Sequence, residues 1–367
     1  MVEMNFDSAL HEREGIEQPA QVNPHLQRKR RRDLSVEDYV AGIRRGDRVI
    51  LSRAITLIES THPDHQKVAQ QVIEACLPYA GNSLRIGITG VPGAGKSTFI
   101  EAFGTHLTSI GKNIAVLAID PSSERSKGSI LGDKTRMEQL STDPHAFIRP
   151  SPSGLTLGGV ARKPRETIIL CEAAGFDVII VETVGVGQSE TVVKSMVDFF
   201  LLIMLAGAGD ELQGIKRGIM EMADALVINK ADGDNVTPAE LAKTKYQSAL
   251  HLFPKNENGW NVPVTTCSSL ENTNINKVWD IITEFEVLTK GNGYFTKNRN
   301  EQNVKIFYDW IEFTIRNNFF NNPHVQAAIE NELPKVQAGE ITPYQAGNAV
   351  MGIEDEKKSQ NKVVYLH

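Results

Sequence analysis

Lys96, Ser97 and Thr98 bring an ammonium and two hydroxyls to the end of the run Gly90-Val91-Pro92-Gly93-Ala94-Gly95-Lys96-Ser97-Thr98. The run fits G-x-x-x-x-G-K-[ST] without a mismatch. That spacing suits a polyphosphate. Glycines let the backbone curl until successive N–H groups face one anion. A helix start behind them adds the positive end of its dipole. Lys96 is expected to reach the β- and γ-phosphates, and the Ser97 hydroxyl to sit on Mg²⁺. The flanks agree: Leu84–Thr89 is short, apolar and β-prone, and Phe99–Phe103 reads as a helix.

Asn229-Lys230-Ala231-Asp232 follows the apolar run Ala225–Ile228. In an N-K-x-D pattern the Asp232 carboxylate can accept from both N1–H and the 2-amino group of guanine. Adenine offers neither donor there, so ATP would leave the carboxylate unpaired. Asn229 and Lys230 would brace the base and its loop. Thr265–Leu270 follows the next apolar stretch, where the amides of Ser268, Ser269 and Leu270 are placed to meet the guanine O6. Ser268 or Ser269 would equally suit the cap of a following helix.

Glu182 ends the apolar run Val178–Val181, the position from which a carboxylate polarises water around Mg²⁺. Gly185 is placed for its N–H to approach a γ-phosphate. Ras-like enzymes have Asp-x-x-Gly here and a catalytic Gln directly after the Gly. This chain has Glu182 and Val186 instead, and Gln188 is the nearest candidate to orient water. Asp120 and Asp133 bound a loop of glycines and hydroxyls and are metal-ligand candidates; a turn start and a helix cap are the alternative. In Ala206–Arg217, Lys216 or Arg217 would bring positive charge to a transition state, or the loop is simply solvated.

Strands are expected at Leu84–Thr89, Asn113–Ile119, Ala146–Arg149, Val178–Val181, Phe199–Leu205, Ala225–Ile228 and Val262–Thr265, with helical patterns between them. Such alternation implies an α/β fold with a mostly parallel sheet flanked by helices, and ligands at the carboxyl ends of the strands. Residues 1–33 read as a disordered tail with a basic run at Arg28–Arg32. Residues 34–82 read as a helical segment, with Asp47 capping its second helix and Pro63 opening its third. The nucleotide domain is expected over 83–290 and helical additions over 291–367.

The formal net charge of −6 argues against general nucleic-acid binding. Three scattered cysteines suggest neither a disulfide framework nor a zinc knuckle. The polar N-terminus lacks the apolar centre of a signal peptide, and Met196–Ala208 is too short to span a bilayer. A cytoplasmic protein without membrane contact is the expectation.

Longer blocks carry a resemblance: GVPGAGKST at Gly90–Thr98, IDPSS at Ile119–Ser123, GSILGDKTRM at Gly128–Met137, VETVGVGQSE at Val181–Glu190, AGAGDELQGIK at Ala206–Lys216 and NKAD at Asn229–Asp232. The chain resembles the MeaB/ArgK GTPases, the family of the methylmalonic aciduria type A protein, in the signal-recognition and nickel-insertion (SIMIBI) branch of P-loop NTPases. The resemblance implies a homodimeric GTPase that binds GTP/GDP and Mg²⁺ and escorts a cobalamin-dependent acyl-CoA mutase, typically methylmalonyl-CoA mutase. Such proteins gate cofactor loading and protect the mutase. It also implies a Mg²⁺ shell of Ser97, Asp120, Asp133 and Glu182. The loops around Asp120–Asp133, Glu182–Glu190 and Gly207–Lys216 become three switches, Lys216 linking the third to hydrolysis. The C-terminal helices become a dimerisation arm. Two alternatives stand beside it: a metal-delivery GTPase of the same branch, disfavoured by nine scattered histidines and no C-x-x-C, and an ATP-dependent kinase or transport accessory protein, disfavoured by N-K-x-D.

Overall fold

The computed structural model describes residues 34–119, 137–151, 162–183, 189–207, 217–254 and 256–352. Seven strands form its centre: β1 (Leu84–Gly90), β2 (Ile114–Ile119), β3 (Ala146–Ser151), β4 (Val178–Thr183), β5 (Phe199–Leu205), β6 (Ala225–Asn229) and β7 (Val264–Thr266). Their order is β3-β2-β4-β1-β5-β6-β7, and every pairing is parallel. The sequence explains this choice. Val178-Ile-Ile-Val and Phe199-Phe-Leu-Leu-Ile-Met are apolar without alternation, and β4 and β6 are buried along their whole length. Only a sheet covered on both faces accommodates such runs.

Because all strands point one way, the loops after β1, β2, β4, β5, β6 and β7 leave from one edge. β1 sits between β4 and β5, where strand order reverses, so the phosphate-loop candidate opens at the crevice of the sheet.

Helices cover both faces. α1 (Val36–Arg44), α2 (Arg48–Glu59) and α3 (Pro63–Cys76) lead into β1. Asp47 caps α2, accepting from the Val49 and Ile50 amides at 2.9 and 3.1 Å. α4 (Lys96–Ser109) packs under β1 with Phe99, Ile100 and Phe103 fully buried. α5 (Glu138–Thr142) meets α4 at Gly104, where a Cβ would stand 2.6 Å from Leu140 Cδ2. α6 (Arg162–Ala173), α7 (Ser189–Lys194), α8 (Arg217–Met222) and α9 (Val236–Leu250) complete the crossovers. α10 (Ile275–Gly291) stacks on the core through Phe285, edge-on to Phe199 with ring centroids 5.0 Å apart.

α11 (Tyr294–Phe320) starts ten residues ahead of the run Val304–Phe320, where Ile, Phe, Tyr and Trp recur at helical spacing, and Gln302 is its one buried residue. Its attachment is polar, which hydrophobic period cannot reveal. Arg299 grips both oxygens of Asp198 at 2.7 Å, and Gln302 donates to the Val197 carbonyl at 2.8 Å. α12 (Pro323–Gln337) begins at a proline and contains a second, Pro334. Pro334 leaves the Glu330 carbonyl without its i+4 amide, and the helix ends three residues later. A final helix spans residues 343–352. No described helix is long and apolar enough to cross a membrane.

Candidate nucleotide site

Gly90 closes β1 opposite Ile203 of β5, and a Cβ there would lie 2.3 Å from the Ile203 carbonyl oxygen. Glycine is required by that backbone approach. The chain then turns through Gly93 and Gly95, both at positive φ (76° and 82°), and α4 starts at Lys96. Pro92, Gly93 and Thr98 are exposed, Ala94 is buried, and Val91 packs against the core. Lys96 folds back over the loop, donating to the Gly90 carbonyl at 2.9 Å. Burial pulls its ammonium below the ordinary lysine value, while the Glu182 and Glu190 carboxylates oppose that shift.

Glu182 stands in β4 in register with Ile88 of β1 and is 4% exposed. The Ser97 hydroxyl faces its Oε1 at 3.5 Å, the outer limit of a hydrogen bond. A hydroxyl and a buried carboxylate meeting beside an ammonium are hard oxygen donors of the kind Mg²⁺ takes, and Mg²⁺ needs few protein ligands because it keeps several waters. Beside them Thr183 donates to Thr89 at 2.8 Å, tying β4 to β1 just before both loops. Asp120, Asp133, Gly185, Gln188 and Lys216 lie outside the described residues.

The base motif leaves β6. Asn229, 1% exposed, donates to the Ala94 carbonyl at 2.8 Å and accepts from the Ser269 amide at 3.2 Å and hydroxyl at 2.7 Å. Its Oδ1 also accepts from Cys267 Sγ at 3.4 Å. One amide thus joins the phosphate loop, the base motif and the loop after β7. Lys230 holds a left-handed φ of 59°, uncommon outside glycine. Asp232 accepts from the Ser268 hydroxyl, which turns its carboxylate toward that loop. Leu270 is exposed at the loop tip.

The serines do not cap α10, which starts at Ile275 with Asn274 before it; Ser269 donates to Asn229, and Ser268 donates to Asp232 while accepting from the Glu271 amide at 3.1 Å, closing a turn rather than a helix. Two further carboxylates are given no role of their own by the sequence, Glu190 near Lys96 and Glu101 on α4. Glu190 closes the run Val181–Glu190, but its burial, 1% exposed, shows only in the fold.

Known proteins resemble this arrangement over most of the chain. The family described as methylmalonyl Co-A mutase-associated GTPase MeaB matches residues 51–324. The GTPase ArgK of Escherichia coli is 46% identical over 311 residues, covering 85% of this chain and 94% of that protein. The mitochondrial methylmalonic aciduria type A homolog of Mus musculus is 42% identical over 326 residues, covering 86% and 79%. A crystal structure of an LAO/AO transport system kinase superposes with a TM-score of 0.71 at 39% identity, over 87% of this chain and 97% of that one. With a G-x-x-x-x-G-K-[ST] loop, an N-K-x-D run and a sheet that brings them together, this chain belongs to the MeaB family and is a GTP hydrolase.

Proposed function

We propose that this GTPase is a Mg²⁺-dependent chaperone of a cobalamin-dependent acyl-CoA mutase of the methylmalonyl-CoA type, gating cofactor loading and protecting the mutase. The observation that carries the reading is the match to mutase-associated GTPases over residues 51–324, with the mouse homolog beside it. In this reading the cytoplasmic protein cycles between GTP and GDP, and its loops report the nucleotide to the mutase.

Each site residue has a role. The amides of Gly90–Thr98 hold the phosphates, and Lys96 offsets their charge, aided by its burial. Asn229, Lys230, Asp232 and the 268–270 loop select guanine. Ser97, Glu182, Asp120 and Asp133 supply the oxygen set for Mg²⁺, which when bound neutralises charge developing between the β- and γ-phosphates. Gly185 offers its amide to the γ-phosphate, Gln188 orients the attacking water, and Lys216 couples hydrolysis to the partner. Hydrolysis of this kind requires positioning rather than covalent chemistry, so basal turnover is slow and a partner accelerates it.

The same reading assigns 34–82 as a helical preface, 83–290 as the GTPase domain and 291–367 as the arm of a homodimer. The arm's exposed Phe307, Tyr308, Trp310 and Ile315 support this, since a 27-residue helix with so much apolar surface suits a second copy. Co-purification with cobalamin mutases, followed by hydrolysis assays with and without each, tests the proposal. A mutase that binds and raises GTP turnover is expected. Failure of every cobalamin mutase to bind or stimulate, or phosphate transfer from ATP with GTP inert, refutes it.

A further inference from the structure

A cavity of 430 Å³ opens at the amino edge of the sheet, between residues 77–81, α6 and α11. Its wall brings three guanidiniums together: Arg85 at the start of β1, Arg165 on α6 and Arg299 on α11. Two of them are already neutralised. Arg85 holds both oxygens of Glu172 at 2.8 and 2.9 Å, and Arg299 holds both oxygens of Asp198 at 2.7 Å. Those carboxylates are saturated and turned away from solvent. Glu172 also accepts from the Gly81 amide and Asp198 from the Arg85 amide, each at 2.8 Å, and their side chains are 0% and 1% exposed.

Arg165 differs. It is 8% exposed, and it donates to the Gln302 carbonyl at 3.4 Å and to the Ser195 carbonyl and hydroxyl at 2.9 and 2.7 Å, none of them anionic. Its Nε is buried without a partner. Burial pulls its pKa down to about 10; the Asp309 carboxylate opposes that shift and the Arg85 charge adds to it. Asp309 lines a neighbouring cavity and not this one. A buried charge is unfavourable until an opposite charge meets it. The rest of the wall includes Ile168, Met196, Phe295 and Ile306. A guanidinium fork beside such a surface matches a carboxylate carried on hydrocarbon, in a cavity of the size that takes small molecules. Charge decides the class further. Three guanidiniums against two carboxylates leave one positive charge, so a monoanion is neutralised there, whereas a phosphate dianion brings a second charge with no partner.

We propose that this cavity binds a small organic monocarboxylate, its head on Arg165 and its hydrocarbon part against Ile168, Met196, Phe295 and Ile306. The site lies at the edge opposite the loops that leave β1 and β6, so its ligand and GDP bind together rather than compete.

The test uses the full chain, with octanoate as the probe, read by calorimetric titration and by the thermal midpoint. Octanol, octylamine, acetate and octyl phosphate are titrated beside it. One octanoate per chain is expected, with a Kd of about 1 mM or tighter and a raised midpoint. Octanol and octylamine lack the anion and acetate lacks the tail, so each should bind about tenfold more weakly or worse. Octyl phosphate should bind no tighter than octanoate. Arg165→Gln should weaken octanoate about tenfold. Thr296→Trp, which places an indole at an exposed position of the cavity wall, should weaken it as much. GDP affinity in both variants, and octanoate affinity at saturating GDP, should stay within about twofold of the parent's. No octanoate binding at about 10 mM overturns the inference. So does octanol or octylamine binding as well as octanoate, octyl phosphate binding more tightly, undiminished octanoate binding in Thr296→Trp, or displacement of octanoate by GDP. If Arg165→Gln does not fold, the head-group series and Thr296→Trp decide.

Discussion

Replacing Asn229 by alanine tests whether the guanine pocket is held by one amide. The side chain is 1% exposed and bonds the Ala94 carbonyl, the Ser269 amide and the Ser269 hydroxyl. The hydroxyl can rotate to another partner, but the two backbone groups cannot. A buried backbone group left without a partner costs about 1–3 kcal/mol, so two cost about 3 kcal/mol in the native geometry. The unliganded variant avoids part of this by letting the phosphate loop and the 267–270 loop separate. Guanine binding requires them together again, so the remainder appears as lost affinity. The two losses should therefore sum to about 3 kcal/mol, equivalent to about 100-fold if all falls on binding. Calorimetric titration with GDP gives one part and denaturant unfolding of the ligand-free protein the other. A variant that binds GDP within threefold of the parent and unfolds at the same denaturant midpoint would falsify the claim that Asn229 joins the three segments energetically.

Gly90→Ala should cost about 3 kcal/mol or more, because its Cβ would meet the Ile203 carbonyl at 2.3 Å and neither strand can yield; a thermal midpoint equal to the parent's removes the argument. Asp232→Asn should weaken GDP by about 10²-fold while favouring xanthosine diphosphate, since the amide offers a donor where guanine presents one; unchanged selectivity releases Asp232 from its assigned role. If the proposed arm joins two copies, the parent should be a dimer in light scattering at micromolar concentration and Phe307→Glu combined with Ile315→Glu should convert it to monomers by placing two charges on the contact; a monomeric parent refutes the arm, and an unaffected dimer puts the interface elsewhere.

Much of the fold was legible because its signals are local. Seven apolar runs became seven strands, with ends moved by a residue or two, and Asp47, Gly90 and Pro63 marked turns and helix starts that the structure retains. The phosphate loop and N-K-x-D were legible for the same reason: each is one short segment following a strand. What escaped was contact between segments distant in the chain. Ser268 and Ser269 look like helix caps until Asn229 and Asp232 are seen beside them, 40 and 36 residues away in sequence. The start of α11 is invisible to hydrophobic period because Arg299 and Gln302 attach it by ion pair and hydrogen bond. Glu101 reads as an ordinary helix-surface acid, since nothing near it names the Gln139 and Leu140 amides, from which it accepts, as its partners.

The course of α11 gives those polar anchors a consequence for the proposed arm. Asp198 lies at the amino end of β5 and Glu172, which pairs with Arg85 of β1, marks the same edge of the sheet. α6 runs back along the sheet, so its first residue, Arg162, lies toward the carboxyl edge, and its guanidinium sits over the Trp310 ring at 4.7 Å. From Arg299 to Trp310 the helix rises about 16 Å, close to the height of a strand. α11 therefore climbs from the edge opposite the nucleotide loops to the edge that bears them, and its exposed Ile315 and Phe320 continue beyond. Arg165 ties this path to the turn after α7, donating to both Ser195 oxygens and to the Gln302 carbonyl. A second copy seated on the far part of the proposed arm would thus stand at the edge of the sheet where β1 and β6 end, held to the core by packed helices and buried hydrogen bonds.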